Sequence, residues 1–143
     1  MTHTSDSDVL IVGGGLAGLT LAAYLERQGR APLLVEQAPQ WRESGYGIGL
    51  WADGLAVLDE LGRLDAARDY AADPTDFEIR SSDSGLLTRT TLPPERTLLL
   101  AIYRGDLHTV LRDAVPDDWI RMDTSPERLV ERADGVDVTF DDG

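Results

Sequence analysis

Gly13, Gly15 and Gly18 stand at G-x-G-x-x-G spacing, directly after the apolar run Val9-Leu10-Ile11-Val12 and ahead of a helical pattern. That spacing serves the binding of a dinucleotide pyrophosphate. Gly13 lets the chain turn sharply out of a strand, Gly15 removes a Cβ that would hold the pyrophosphate off the backbone, and Gly18 lets the helix pack close to the strand. The helix N-terminus then presents unpaired N–H groups and the positive end of its dipole to the phosphates. Glu36 lies 18 residues beyond Gly18, close to the roughly 20 at which such folds place an acid on the adenosine ribose. Its carboxylate can accept from both ribose hydroxyls and repels a 2′-phosphate; the alternative is a solvated residue at a strand end. Gln37, not Arg, comes next, which argues against NADP in this site.

A second stretch bears on the choice of cofactor. Trp41-Arg42-Glu43-Ser44-Gly45-Tyr46-Gly47-Ile48-Gly49-Leu50-Trp51 carries three alternating glycines, poor for a helix and weak for a strand. They suit an extended segment passing close to a flat ligand, or else a flexible loop. Arg104 falls where an extended run, Thr97 to Tyr103, hands over to a helix marked by Leu107, Val110 and Leu111 with Asp106 at or near its N-cap. That position can aim one guanidinium into a cleft. His108, one turn into that helix, reads as a solvated surface residue. There is no Cys, and the only histidines, His3 and His108, are far apart, so thiolate chemistry is excluded and no metal site is expected.

The elements that must position these residues follow from periodicity. Val9 to Val12 is a continuous apolar run of the kind covered on both faces. The next helix sets Leu16, Leu19, Ala22, Ala23 and Leu25 on one side and stops near Gly29, and Leu33-Leu34-Val35-Glu36 is a second strand, completing a βαβ unit. Leu55, Leu58, Leu61 and Leu64 mark an amphipathic helix broken near Gly62. Phe77-Glu78-Ile79-Arg80 and Leu86 to Thr91 form a hairpin about Ser82–Gly85 that Pro93-Pro94 ends. Trp119-Ile120-Arg121-Met122 supplies a third parallel strand. Arg128 to Arg132 and Val136 to Phe140 form a hairpin about Ala133-Asp134-Gly135, and the sequence closes on the turn signal Asp141-Asp142-Gly143 without a return strand.

Taken in order, Gly13-x-Gly15-x-x-Gly18, Glu36, the segment Trp41 to Trp51, Leu58-Asp59-Glu60-Leu61-Gly62 and Tyr103-Arg104-Gly105-Asp106-Leu107-x-x-x-Leu111 resemble the class A FAD-dependent monooxygenases, the aromatic hydroxylases related to p-hydroxybenzoate and salicylate hydroxylases. The resemblance implies that Gly13, Gly15, Leu16, Ala17 and Gly18 cradle the FAD pyrophosphate, that Glu36 and Gln37 hold the ribose, that Arg42 and Arg104 contact the cofactor further along, and that Gly47 and Gly49 lie near the flavin. It implies NAD(P)H as co-substrate, oxygen as oxidant and an aromatic small molecule as substrate. The implied fold is α/β, a Rossmann-like FAD-binding βαβ unit with a parallel sheet and β-hairpin excursions, incomplete. Residues 8–75 and 104–125 form its core, 76–103 a hairpin of the substrate-side sheet, and 126–143 a hairpin cut short.

The sequence also departs from the family. Some relatives carry a basic side chain to activate a substrate phenol where this sequence has Gly49, and no catalytic residue is assigned. The family's later Asp-Gly and Gly-Asp motifs fall beyond residue 143, while Asp134-Gly135 sits in a hairpin turn. A missing C-terminal portion or an oligomeric partner is therefore expected to complete the flavin site. A flavin-dependent reductase of the geranylgeranyl type and a truncated, non-catalytic FAD-binding remnant are the alternatives.

Composition sets the remaining bounds. The 143 residues include 26 acidic side chains and 13 basic ones, all Arg, for a net charge of −13. Such a charge offers no basic patch to a nucleic acid, and no apolar run reaches the roughly 20 residues that span a bilayer. With no N-terminal targeting pattern, a cytoplasmic protein is the expectation. An Asp-rich surface without Lys reads as salt adaptation, in which counterions screen self-repulsion. Refolding yield is expected to rise in molar salt, and indifference to salt would contradict this reading.

Overall fold

The computed structural model describes residues 7–42, 45–91 and 99–141. His3, Glu43 and Ser44, Pro93-Pro94, Thr97-Leu98 and the closing Asp142-Gly143 lie outside the described residues. In chain order the elements are β1 (Leu10–Val12), α1 (Leu16–Arg27), β2 (Leu33–Val35), β3 (Gly47–Trp51), α2 (Ala52–Glu60) and α3 (Leu64–Arg68). There follow β4 (Asp76–Ser81), β5 (Gly85–Thr91), β6 (Leu99–Tyr103), α4 (Arg104–Arg112), a 3-10 turn at Asp117–Trp119, β7 (Ile120–Arg121), β8 (Pro126–Glu131) and β9 (Val136–Phe140). They pack as two units, residues 1–43 with 111–143, and residues 44–110.

In the first unit a parallel sheet runs in the order β1-β2-β7, in register Leu10 to Leu33, Ile11 to Leu34 and Val12 to Val35, then Leu34 to Ile120. The third strand expected at Trp119–Met122 is therefore present, shortened by the 3-10 turn that takes Trp119. Helix α1 buries Leu19, Ala22, Ala23 and Leu25, the face predicted by the spacing, with Leu16 only half-buried. Each such leucine contributes about 1.5–3 kcal/mol by leaving water. The expectation of cover on both faces of the first strand is not met at Val12, which is 60% exposed, while Ile11 beside it is buried. Hairpin β8–β9 is antiparallel, closed by the Arg132 N–H donating to Gly135 O at 2.8 Å.

The second unit contains an unforeseen ladder. Two of the three alternating glycines do form a strand: β3 pairs antiparallel with β6, Gly47 opposite Tyr103 and Gly49 opposite Ala101. Residues that are poor strand formers alone are held here by backbone pairing to an apolar partner, since β propensity depends on context. Leu100 and Ile102 of β6 are buried, as are Leu55 and Leu58 of α2, and α2 lies against both strands. The amphipathic helix breaks as predicted at Gly62, whose φ of +66° lets the Gly62 and Arg63 N–H groups donate to Asp59 O and Leu58 O, a Schellman cap. Residues beyond it form α3, which the leucine spacing did not delimit. Hairpin β4–β5 is present, clamped by Glu78, which accepts from Arg80 Nε at 2.7 Å and from Arg89 across the strands. Helix α4 starts at Arg104, so Asp106 lies near the N-cap, in the first turn. Among the described residues no helix is long and apolar enough to cross a membrane.

One contact fixes how closely α1 approaches β1. A Cβ on Gly18 would stand 2.0 Å from the Gly13 carbonyl oxygen and 3.3 Å from Ile11 Cγ2. Gly18→Ala is expected to lower the unfolding free energy by about 1–3 kcal/mol or more, as overpacking does, in a urea titration. An unchanged midpoint would mean that α1 can lift off the strand at no cost.

Candidate functional site

The glycine turn of the first unit is built from three separate constraints. Gly13 has φ +102°, a region that L side chains rarely adopt, and its N–H donates to Val35 O at 2.7 Å. Gly18 is held as glycine by the carbonyl of Gly13. Gly15 is different: a Cβ there would meet nothing within 4 Å, and its φ of −75° is one any residue adopts. Nothing within the chain demands glycine at 15, and the space its missing side chain leaves lies over the turn. Gly15 is the N-cap of α1 without a side-chain cap, and the first turn of α1 carries no acid. The amides of Leu16 and Ala17 therefore open a 12-residue helix with no carboxylate of that turn beside them. A pyrophosphate suits that place, where N–H groups and the helix dipole favour negative charge. The residues present fit the group that the glycine spacing implies.

Glu36, immediately after β2, is the second component. Its Oε2 accepts from the Gly14 N–H and its Oε1 from the Ala38 N–H, both at 2.8 Å. The Glu36 peptide is itself fixed, its N–H donating to Arg121 O at 2.9 Å and its carbonyl accepting from the Thr124 N–H at 3.0 Å. An ionised carboxylate has about four acceptor positions, so two remain for hydroxyls. The half-buried Glu36 is thus a carboxylate oriented by the backbone, not a loose residue at a strand end. Gln37 and Arg42 are exposed. The structure brings Gly13, Gly15, Gly18 and Glu36 together in one unit, with Gln37 and Arg42 on the chain that leaves it.

Gly47, Gly49 and Arg104 belong to the second unit. Gly47, Gly49 and Trp51 are exposed on one side of β3, while Ile48 and Leu50 are half-buried. Ala72 bridges to Ala101, its N–H donating to Ala101 O at 2.8 Å and its carbonyl accepting from the Ala101 N–H at 2.9 Å. Gly47, Gly49, Ala101 and Ala72 thereby make a floor of small residues in an open cavity of about 580 Å³, with the exposed Tyr70 and Tyr103 among its walls. No charged side chain is among the described residues lining it, and its size is in the range of small-molecule sites. Arg104 is half-buried at the first position of α4, and its N–H donates to Tyr46 O at 3.0 Å. His108 is also half-buried rather than fully solvated.

Tyr70, Ala72, Gly14 and Trp41 gained no role from sequence. The first two come together through a single bridge between distant residues, for which no local signal exists. Gly14 and Trp41 are visible in the sequence only as motif members. Among the described residues no group of three His, Asp or Glu could hold a metal ion.

The arrangement has counterparts. A protein family described as FAD binding domain matches residues 6–138. The 3-amino-4-hydroxybenzoate 2-monooxygenase PtmB3 of Streptomyces platensis is 34% identical over 151 residues, all of this chain and 38% of that protein. The 6-hydroxynicotinate 3-monooxygenase of Bordetella bronchiseptica is 28% identical over 141 residues, 94% of this chain and 37% of that protein. The crystal structure of Klebsiella pneumoniae HpxO complexed with FAD and uric acid superposes with a TM-score of 0.81 at 25% identity, over 94% of this chain and 35% of that one. The chain thus spans little more than a third of the length of these proteins.

The backbone clamp on Glu36 can be tested without ligand. In Glu36→Gln the amide NH2 must face either the Gly14 or the Ala38 N–H, leaving a donor against a donor. Thermal and urea denaturation are expected to register a loss of about 1–3 kcal/mol, the cost of an unsatisfied group beside a formerly charge-assisted bond. Unaltered stability would mean that the two hydrogen bonds contribute nothing to the fold.

Proposed function

The chain belongs to the FAD binding domain family, and from that membership we propose that it supplies the ADP-binding part, and a small-residue surface facing the ring, of a flavoprotein monooxygenase that hydroxylates an aromatic or similar small molecule with NAD(P)H and oxygen. One observation carries the reading. Of the three motif glycines, Gly13 is required by its backbone angle and Gly18 by a backbone contact, whereas Gly15 is required by nothing in the chain. A ligand lying across the turn accounts for it.

Bound FAD supplies the redox chemistry with oxygen. The chain's own residues bind and orient. The Leu16 and Ala17 amides hold the pyrophosphate, and Glu36 accepts from the ribose hydroxyls through the positions its two backbone bonds leave open, with Gln37 beside it. Arg42 and Arg104 contact the cofactor further along, and Gly47 and Gly49 lie near the flavin, where a Cβ at 47 would meet nothing nearer than Ile102 O at 4.0 Å while one at 49 would stand 2.9 Å from Leu99 Cδ1. The β4–β5 hairpin, with Phe77 and Ile79 exposed, belongs to the substrate-side sheet. Further polypeptide or an oligomeric partner completes the flavin site. The relatives' names support an aromatic substrate, since two of them are monooxygenases of a hydroxybenzoate and a hydroxynicotinate. Salt adaptation and a cytoplasmic location complete the proposal. The first is supported by the position of the acids: among the described residues every Asp and Glu is exposed except the half-buried Glu36, Glu78 and Asp106.

Titration of the protein with FAD, followed by flavin fluorescence, tests the reading. Binding is expected, and Gly15→Ala is expected to leave the melting temperature without ligand unchanged while weakening FAD by about tenfold or more, the effect of about 1.4 kcal/mol. Full affinity in Gly15→Ala would move the pyrophosphate elsewhere. For the activity, NAD(P)H oxidation stimulated by an aromatic ring, with hydroxylated product, is expected once the flavin site is complete. Oxidation without product under those conditions would favour a reductase.

A further inference from the structure

We propose that Trp41 is a positioning residue for the ADP half of the cofactor, acting through the Gly14 amide and the Glu36 carboxylate; the inference rests on the FAD reading above. Cζ3 and Cη2 of the indole lie 2.6 and 2.7 Å from the point that a Cβ on Gly14 would occupy, and Glu36 Cβ lies 3.4 Å from the same point. Gly14 is buried and Trp41 half-buried. The φ of Gly14 is not positive, so what excludes a side chain there is the ring and not the backbone. The benzo ring therefore covers the peptide unit whose N–H is donated to Glu36 Oε2.

Covering that bond has two consequences. Water is kept from one side of it, and a hydrogen bond in a drier environment is electrostatically stronger. The space beside Gly14 and Glu36 is also filled, which limits the rotamers of Glu36, so its carboxylate is aimed before the adenosine arrives and binding need not order it. Gly14 is thereby a glycine for the sake of Trp41. The motif's other glycines serve the turn, the helix and the ligand.

Isothermal titration with ADP, which carries the ribose and pyrophosphate but no flavin, reads this directly. Trp41→Ala is expected to weaken ADP and FAD by the same factor, about tenfold, the scale of one charge-assisted hydrogen bond. Trp41→Phe is expected to recover part of the loss, its ring being shorter. Gly14→Ala pushes the indole aside and is expected to cost a similar factor in the wild-type background but almost nothing extra in Trp41→Ala, the non-additivity of two residues in contact. Val115→Ala, a truncation at a buried site of the same unit, controls for lost stability and is expected to lower the melting temperature while leaving ADP affinity within about twofold. Wild-type affinity in Trp41→Ala, strictly additive losses, or an equal loss in Val115→Ala would each overturn the role of Trp41 and leave the FAD reading standing. Failure of the wild-type protein to bind either ADP or FAD would overturn the FAD reading, and this proposal with it.

Discussion

Two backbone amides from different parts of the first unit converge on one carboxylate, and the geometry of the glycine turn depends on that convergence. The Gly14 N–H comes from the exit of β1, the Ala38 N–H from the chain leaving β2, and Glu36 accepts both. The strands themselves give limited fixation. Each has only three residues, and β1 has a single partner in the sheet. A charge-assisted hydrogen bond contributes about 1.5–3 kcal/mol where a neutral one gives about 1, so in so short a ladder the carboxylate is a major part of what fixes turn to strand. Removing it frees the turn and also removes the acceptor that a ribose needs. Structure and binding draw on the same side chain.

The same economy appears in what surrounds it. The Glu36 peptide is tied to β7 through Arg121 O and to the chain beyond it through the Thr124 N–H, and Thr124 is the one buried polar residue among those described, its hydroxyl donating to Met122 O. Among the described residues no buried side-chain polar atom lacks a hydrogen-bond partner, so the Glu36 carboxylate and peptide are held before any ligand is present. A site assembled in this way spends little binding energy on ordering itself, in contrast to a loop that must fold around its ligand.

Much of this was legible because it follows from local chemistry. The G-x-G-x-x-G spacing, the acid 18 residues later and the βαβ periodicity each report on neighbours in sequence. Asp106 lies near the helix start as its type suggests, in the first turn, while the boundary at Arg104 goes with an N–H donated to Tyr46 O, a distant partner that no capping pattern announces. The β3–β6 ladder was hidden for the same reason. Its glycines carry no strand signal, and the reason for one of them is visible only once β6 is paired: a Cβ on Gly49, opposite Ala101, would stand 2.9 Å from Leu99 Cδ1 of β6. Val12 is exposed although it ends an apolar β-branched run, because such a run reports strand preference and not which face another element covers.

The glycines show why a motif match and a binding site are different statements. Four of them, Gly13, Gly14, Gly15 and Gly18, stand within six residues, and the structure gives each a different reason. One needs its positive φ, one would strike an indole, one would strike a carbonyl oxygen, and one would strike nothing. Each of the first three meets a requirement set by the chain itself: a backbone angle, an indole ring and a carbonyl oxygen. Gly15 alone of the four has neither a backbone angle nor a neighbour in the chain that demands glycine, so it is the position at which a motif match becomes evidence for a pyrophosphate held against the backbone.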